Sequence, residues 1–237
     1  MKTKALVLLL GAALLTASGV AAAADGKAIL DKQCAGCHNL TGPAPTTLQG
    51  VWARKGPDLF YAGNKYRHDW IVEWLQHPRR IRPAGMYYGN HIKSGADGQD
   101  VIDKATLVTH PNLSAGDAKA VADTLMTFKA KSDLIKPGEY KPGTMSLTFG
   151  DLMFDKFKGC IACHRSDPDY GGLSGPQVYT AAVRLQDDYM ISYMRNPQAW
   201  DPRSFMPARH LSEQNLQKFV RYFHGLYEAE SKETSDE

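Results

Sequence analysis

Two copies of the pentapeptide C-x-x-C-H constrain this chain more than any other feature: Cys34-Ala35-Gly36-Cys37-His38 and Cys160-Ile161-Ala162-Cys163-His164. Two thiols at that spacing, followed at once by an imidazole, form the attachment signature of a c-type haem. Each thiol can form a thioether to a haem vinyl group, and the adjacent histidine then lies under the macrocycle, placed to ligate the iron. These four are the only cysteines of the chain, so two haems would consume them all. Zinc sites and redox dithiols also use C-x-x-C pairs. A zinc ribbon has no need of a histidine directly after each pair, and a thioredoxin-like motif normally occurs once.

The first residues point to export. Lys2 and Lys4 precede an apolar run from Ala5 to Leu15, and the small residues Ala21 to Ala24 follow. This is the pattern of a secretory signal with an A-x-A site, cleaved after Ala24. Eleven strongly apolar residues are few for a bilayer span, which needs about 20. No cysteine follows the cleavage site to carry a lipid, and no later stretch is long and apolar enough to span a membrane. The expected mature chain therefore has no stable membrane span.

Loss of residues 1–24 leaves 213 of the 237 residues, enough for two domains of about 100 each. The formal charge falls from +3 to +1, because Lys2 and Lys4 leave. Residues 25–135 carry 14 basic and 11 acidic side chains, and residues 136–237 carry 12 and 14. The second half's net negative charge comes from 228–237, with five acidic side chains and one basic, which reads as a solvated, frayed tail. No basic block has the size that nucleic-acid binding needs.

An internal repeat organises the chain. Residues 56–78 read GPDLFYAGNKYRHDWIVEWLQHP and residues 175–197 read GPQVYTAAVRLQDDYMISYMRNP, aligned without a gap. Trp70 and Trp74 stand opposite Tyr189 and Tyr193, and Leu75 opposite Met194. Apolar residues at this spacing mark one face of a helix. Asp69 and Asp188 open it where a carboxylate suits the dipole, and Pro78 and Pro197 close it. These aromatics are expected in the core against the haem edge. Ser114 and Ser212 sit at expected N-caps of a further helix in each half, with Val121 and Leu125 corresponding to Phe219 and Phe223 on its apolar face. Between the halves, Lys136-Pro137-Gly138-Glu139-Tyr140-Lys141-Pro142-Gly143 reads as a linker.

This order, a helix ending at C-x-x-C-H, a middle helix, a ligand loop and a last helix packed on the first, resembles the class I cytochromes c. The resemblance covers nearly the whole mature chain. It implies an all-α fold of two tandem class I domains in the manner of the c-four type, each wrapped around a covalent haem c. The expected boundaries are 25–135 for the first domain, with an insertion near 87–110, then a linker at 136–146, a second domain at 147–227 and the tail at 228–237. Haem attachment in this family occurs outside the bacterial inner membrane, so the resemblance and the signal both imply the periplasm. In such domains the iron sits between the motif histidine and a methionine sulfur. The implied iron ligands are thus His38 with Met86 for the first haem and His164 with Met206 for the second, with Cys34, Cys37, Cys160 and Cys163 as the covalent anchors.

Met206-Pro207 lies nine residues after Pro197 and matches the family pattern. Met153, Met190 and Met194 belong to apolar helix faces and are expected as core. Met86 lies eight residues after Pro78, but Tyr87 stands where the family has proline. His91 follows as the main competitor and His110 lies in the same extended loop. A bis-histidine site would have a lower potential. The insertion near 87–110 is rich in Gly, Asp and Ser and reads either as a partner-docking surface or as a tolerated surface excursion. Gly56-Pro57 and Gly175-Pro176 resemble the family's turn in which a proline carbonyl orients the proximal histidine, with Gly42-Pro43 a rival in the first half. His68, His77, His210 and His224 are expected on the surface or on helices, and Arg79, Arg80 and Arg82 on a solvated face.

The resulting expectation is a non-enzymatic electron carrier. It would pass electrons from a donor dehydrogenase or quinol-oxidising complex to a terminal oxidase or reductase, with redox proteins as partners. A second class is the cytochrome subunit of a periplasmic flavin or molybdenum dehydrogenase. A third is a dihaem enzyme, which would demand a vacant or displaceable iron ligand.

Overall fold

Residues 25–233 are described by the structure, a computed structural model. The expected signal segment and the tail residues 234–237 lie outside the described residues. Asp25 starts the first helix by accepting the backbone N–H groups of Lys27 and Ala28 on its carboxylate. Helix α1 (Gly26–Ile29) runs on into a π turn, Leu30–Cys34, which delivers the first C-x-x-C-H cysteine. Then follow α2 (Leu48–Trp52), α3 (Ala62–Lys65), α4 (His68–Gln76), a ribbon of β1 (Ile92–Ser94) and β2 (Asp100–Ile102), and α5 (Ala115–Met126).

The second half repeats the plan. Helix α6 (Leu147–Leu152) continues into a π turn, Met153–Phe157, and the second motif occupies the 3-10 turn Cys160–Ala162. A small ribbon, β3 (Arg165–Asp167) and β4 (Tyr170–Gly171), precedes α7 (Ala181–Arg184), α8 (Asp187–Arg195), α9 (Pro197–Trp200) and α10 (Glu213–Glu233). The molecule is mostly helical, with only these two short antiparallel ribbons as sheet among the described residues.

Two clusters of buried side chains follow the repeat. In the first half α5 packs on α1, α3 and α4, and Leu30, Ile71, Leu75, Val121 and Leu125 meet there. In the second half α10 packs on α6, α7 and α8, with Met153, Met190, Met194, Phe219 and Phe223 in the core. Ser114 and Ser212 cap α5 and α10, accepting the N–H groups of Asp117 and Asn215 on their hydroxyls. Helices α4 and α8 stop just short of Pro78 and Pro197. Glycine permits the closest crossings: a Cβ on Gly26 would run into the Ala120 carbonyl of α5, and one on Gly150 into the Tyr222 ring of α10.

The halves meet along a seam with local twofold character. Arg67 N–H donates to Arg184 O at 2.9 Å and Gln186 N–H donates to Lys65 O at 2.9 Å. These are repeat counterparts exchanging the same bond around an antiparallel bridge between Tyr66 and Leu185. Phe60 and Tyr61 from one half pack with Tyr189 and the fully buried Trp200 from the other. Trp200 is held by its indole N–H on Ser192 Oγ at 3.0 Å.

Four local features depart from the sequence expectations. The insertion near 87–110, expected as a docking surface or a surface excursion with no element assigned to it, carries a ribbon: β1 and β2 pair in register, turning through Gly98 at φ +77°. The linker lies strapped on the second half. Asp188 accepts the N–H groups of Gly138 and Tyr140 rather than serving only its own helix end, and Glu139 pairs with Arg195. Arg82 reaches across the seam to Ser174 O at 2.7 Å instead of lying on a solvated face, whereas Arg79 and Arg80 stay outside. Helix α10 continues to Glu233, into the segment expected to fray; Glu228, Ala229 and Lys232 are good helix formers, and Ser231 donates back to Tyr227 O. Among the described residues no helix is long and apolar enough to cross a membrane.

Candidate functional site

Each C-x-x-C-H segment leaves its helix as a tight turn. His38 N–H and Cys37 N–H donate to Cys34 O, and His164 N–H and Cys163 N–H donate to Cys160 O. In each pair the first thiol is partly buried and the second exposed. Burial raises the pKa of Cys34 and Cys160, so desolvation keeps these thiols protonated.

The two histidines have the same environment. His38 Nδ1 lies 2.8 Å from Pro57 O and His164 Nδ1 lies 2.7 Å from Pro176 O. A carbonyl only accepts, so Nδ1 carries the proton in both rings and Nε2 presents its lone pair. This is the arrangement by which a second partner fixes the tautomer of a metal-ligating histidine. The preceding glycine makes it possible. A Cβ on Gly56 would stand 2.6 Å from His38 Cε1, and one on Gly175 would stand 2.7 Å from His164 Nδ1. Gly42-Pro43, the rival turn, is engaged elsewhere, with Pro43 O accepting from Asn39 Nδ2. Burial lowers the pKa of both imidazoles, against the opposing pull of the proline carbonyls; nearby Arg82 and Arg184 add to the lowering at His164.

Met206 sits partly buried at the edge of the second core. Its loop is tied on both sides: Met206 O accepts from Gln198 Nε2 at 2.8 Å, and Met206 N–H donates to Ser204 Oγ, which also pairs with Tyr193 OH. Met86 is placed differently. It lines a concavity with Trp52, Arg54, Gly85, His91 and Val108, next to the one that holds Cys37 and His38. His91 is occupied within that loop, since Nδ1 donates to Thr106 Oγ1 and Nε2 lies against Gly85.

The ring that approaches His38 is that of His110, with centroids 6.3 Å apart. Trp74 lies edge-on to it at 4.6 Å. The sequence reading named His110 only as a member of the loop. The signal that marks it is the dipeptide His110-Pro111 just before Leu113-Ser114, as Met206-Pro207 stands before Leu211-Ser212.

Buried charge completes the picture. Arg184 is only 5 % exposed, and its donors go to neutral groups, Thr180 Oγ1 and Gln177 O. Burial lowers its pKa to about 10. Across the seam, Arg54 joins Asp201 and Asp58, both largely buried. Among the described residues no three His, Cys, Asp or Glu side chains converge as a tetrahedral metal site would require. No protein-family model, no curated protein and no solved structure matches this chain.

Proposed function

We propose that the protein is a periplasmic electron carrier with two covalent haems, built as two tandem class I cytochrome c domains. The observation that carries this reading is the recurrence of one uncommon arrangement: a C-x-x-C-H turn whose histidine gives its Nδ1 proton to the carbonyl of a Gly-Pro turn, at 2.8 Å and again at 2.7 Å. The residues present fit the group. Cys34 with Cys37 and Cys160 with Cys163 would anchor it, and His38 and His164 would hold its iron through Nε2. Arg184, buried without a carboxylate partner, has the charge to accept an acidic substituent of the macrocycle.

When bound, the group supplies an iron that gains and loses one electron. The chain's own part is to hold that iron still and dry. The Pro57 and Pro176 carbonyls fix the imidazole planes and raise ligand basicity. Met206, on its hydrogen-bonded loop, would supply a soft sulfur that favours the ferrous state at the second centre. Apolar walls from Phe154, Phe219 and Phe223 disfavour added positive charge. A carrier of this kind needs no general acid, base or substrate pocket.

The test is reactivity of the ferrous protein. Both centres should be low-spin and slow to bind carbon monoxide, and hydrogen peroxide should not be turned over at enzyme-like rates. Rapid carbon monoxide binding by the wild type, or peroxide turnover, would replace the carrier reading with a catalytic one.

A further inference from the structure

We infer that His110 is the second iron ligand of the first haem, in place of the methionine that the repeat suggests. The inference deepens the dihaem reading and rests on it. Three independent observations converge on this side chain.

The first is separation. Two imidazoles bound through Nε2 to opposite sides of one metal ion, with metal–nitrogen bonds of about 2.0 Å, place their ring centres about 6 Å apart. The His38 and His110 centres are 6.3 Å apart, with their planes turned 60° from one another. Rotation about the shared axis leaves both bonds intact, so that twist is compatible with ligation.

The second is the state of the ring. His110 Nδ1 lies 2.8 Å from Pro111 O, so its proton is on Nδ1 and its Nε2 lone pair is free. His38 has the same tautomer, fixed by the same kind of partner. Among the described residues neither Nε2 makes a hydrogen bond. His91, the competing imidazole, has Nδ1 on Thr106, and among the described residues its ring is not paired with that of His38 as His110 is. The Met86 side chain opens into the neighbouring concavity beside His91.

The third is the supporting side chain. Trp74 and Tyr193 are counterparts in the repeat. Tyr193 braces the Met206 loop through Ser204, and Trp74 braces His110 directly at 4.6 Å. In each half an X-Pro pair stands shortly before the last helix, His110-Pro111 four residues before Ser114 and Met206-Pro207 six residues before Ser212. The insertion therefore lies between Met86 and the ligand, upstream of it. Imidazole supports ferric iron better than a thioether does, so the first centre would have the lower potential and the second the higher.

The experiment uses the holoprotein, with covalent haem counted first. In the ferric wild type, the near-infrared methionine–iron band should have the intensity of one haem per chain, and a redox titration should resolve two steps. His110→Met should roughly double the band and raise the lower potential. Met86→Leu should leave the band and both potentials unchanged. Two haems with a two-haem methionine band in the wild type would overturn the inference while sparing the dihaem reading; so would a Met86→Leu chain that loses half the band. Fewer than two covalent haems would overturn both. The wild-type measurement requires no variant to fold.

Discussion

Gly175 is the residue on which the second centre's geometry turns. A methyl there would meet both the His164 ring and the Cys163 carbonyl at 2.7 Å, so the imidazole must tilt off Pro176 O. Gly175→Ala is expected to cost about 1–3 kcal/mol, as overpacking does, and to shift one haem potential while leaving the other in place. An unchanged melting curve together with unchanged potentials would show that the close approach does not matter. A second residue-scale expectation concerns acid. Burial raises the Asp187 pKa, but the hydrogen bonds from His224 and Arg67 outweigh it and the net shift is downward. A carboxyl lowered on folding adds stability that is present above its ordinary value of about 3.9 and is lost as pH falls through the lowered value. Denaturant titrations should show Asp187→Asn less stable than wild type at neutral pH, with the difference closing below about pH 4. A difference that persists undiminished at pH 2 would contradict the linkage. At this scale the two Gly-Pro turns that hold the histidines of the C-x-x-C-H segments were legible, because each is a short pattern of fixed residue types. His110 was not, because distance was counted from Pro78. A loop of variable length breaks that count, and the count back from the helix cap also differs, four residues from Ser114 to His110 against six from Ser212 to Met206.

At the scale of elements, each half's last helix crosses its first at a close contact permitted by a glycine. Gly150 brings α6 against the Tyr222 ring, whose hydroxyl donates to Asp151 at 2.5 Å. Gly150→Ala is expected to separate the helices and lower the melting temperature, at a cost of about 1–3 kcal/mol. Replacing the exposed Gly116, where a Cβ meets nothing within 4 Å, should stabilise instead by restricting the unfolded chain. If both substitutions changed stability in the same direction, the close-crossing argument would fail. Helix existence was readable here, since Ser114 and Ser212 cap as expected; of the four aromatics expected in the core, Tyr189 is buried, while Trp70, Trp74 and Tyr193 are only partly buried at its edge. The β1–β2 ribbon was missed because β1 is three residues long and its side chains are mostly exposed. A strand of that length leaves no alternation to read. The strapped linker was missed for a different reason. Its partners, Asp188, Arg195 and Gln217, are distant in sequence, and each is unremarkable as a surface helix residue.

At the scale of the whole molecule, the seam joins two similar halves through reciprocal backbone bonds, a buried aromatic cluster and the Arg54–Asp201 pair. The alignment of the repeat foretold that the halves would resemble one another. It could not foretell that counterpart residues would pair across a twofold, since that depends on surfaces which meet only after both halves fold. Trp200→Ala is expected to cost about 3–5 kcal/mol and to split a single unfolding transition into two. In the proposed function each half is built around its own covalent haem. The most direct measurement is haem count per chain on the mature protein, by pyridine haemochrome assay and intact mass, for wild type and for the Cys160→Ala, Cys163→Ala double variant. Two haems resistant to acid-acetone extraction are expected in the wild type, and one in the variant, which should also lose stability in residues 147–227. A wild-type chain with one haem or none, or haem that acid acetone removes, would contradict the proposed function.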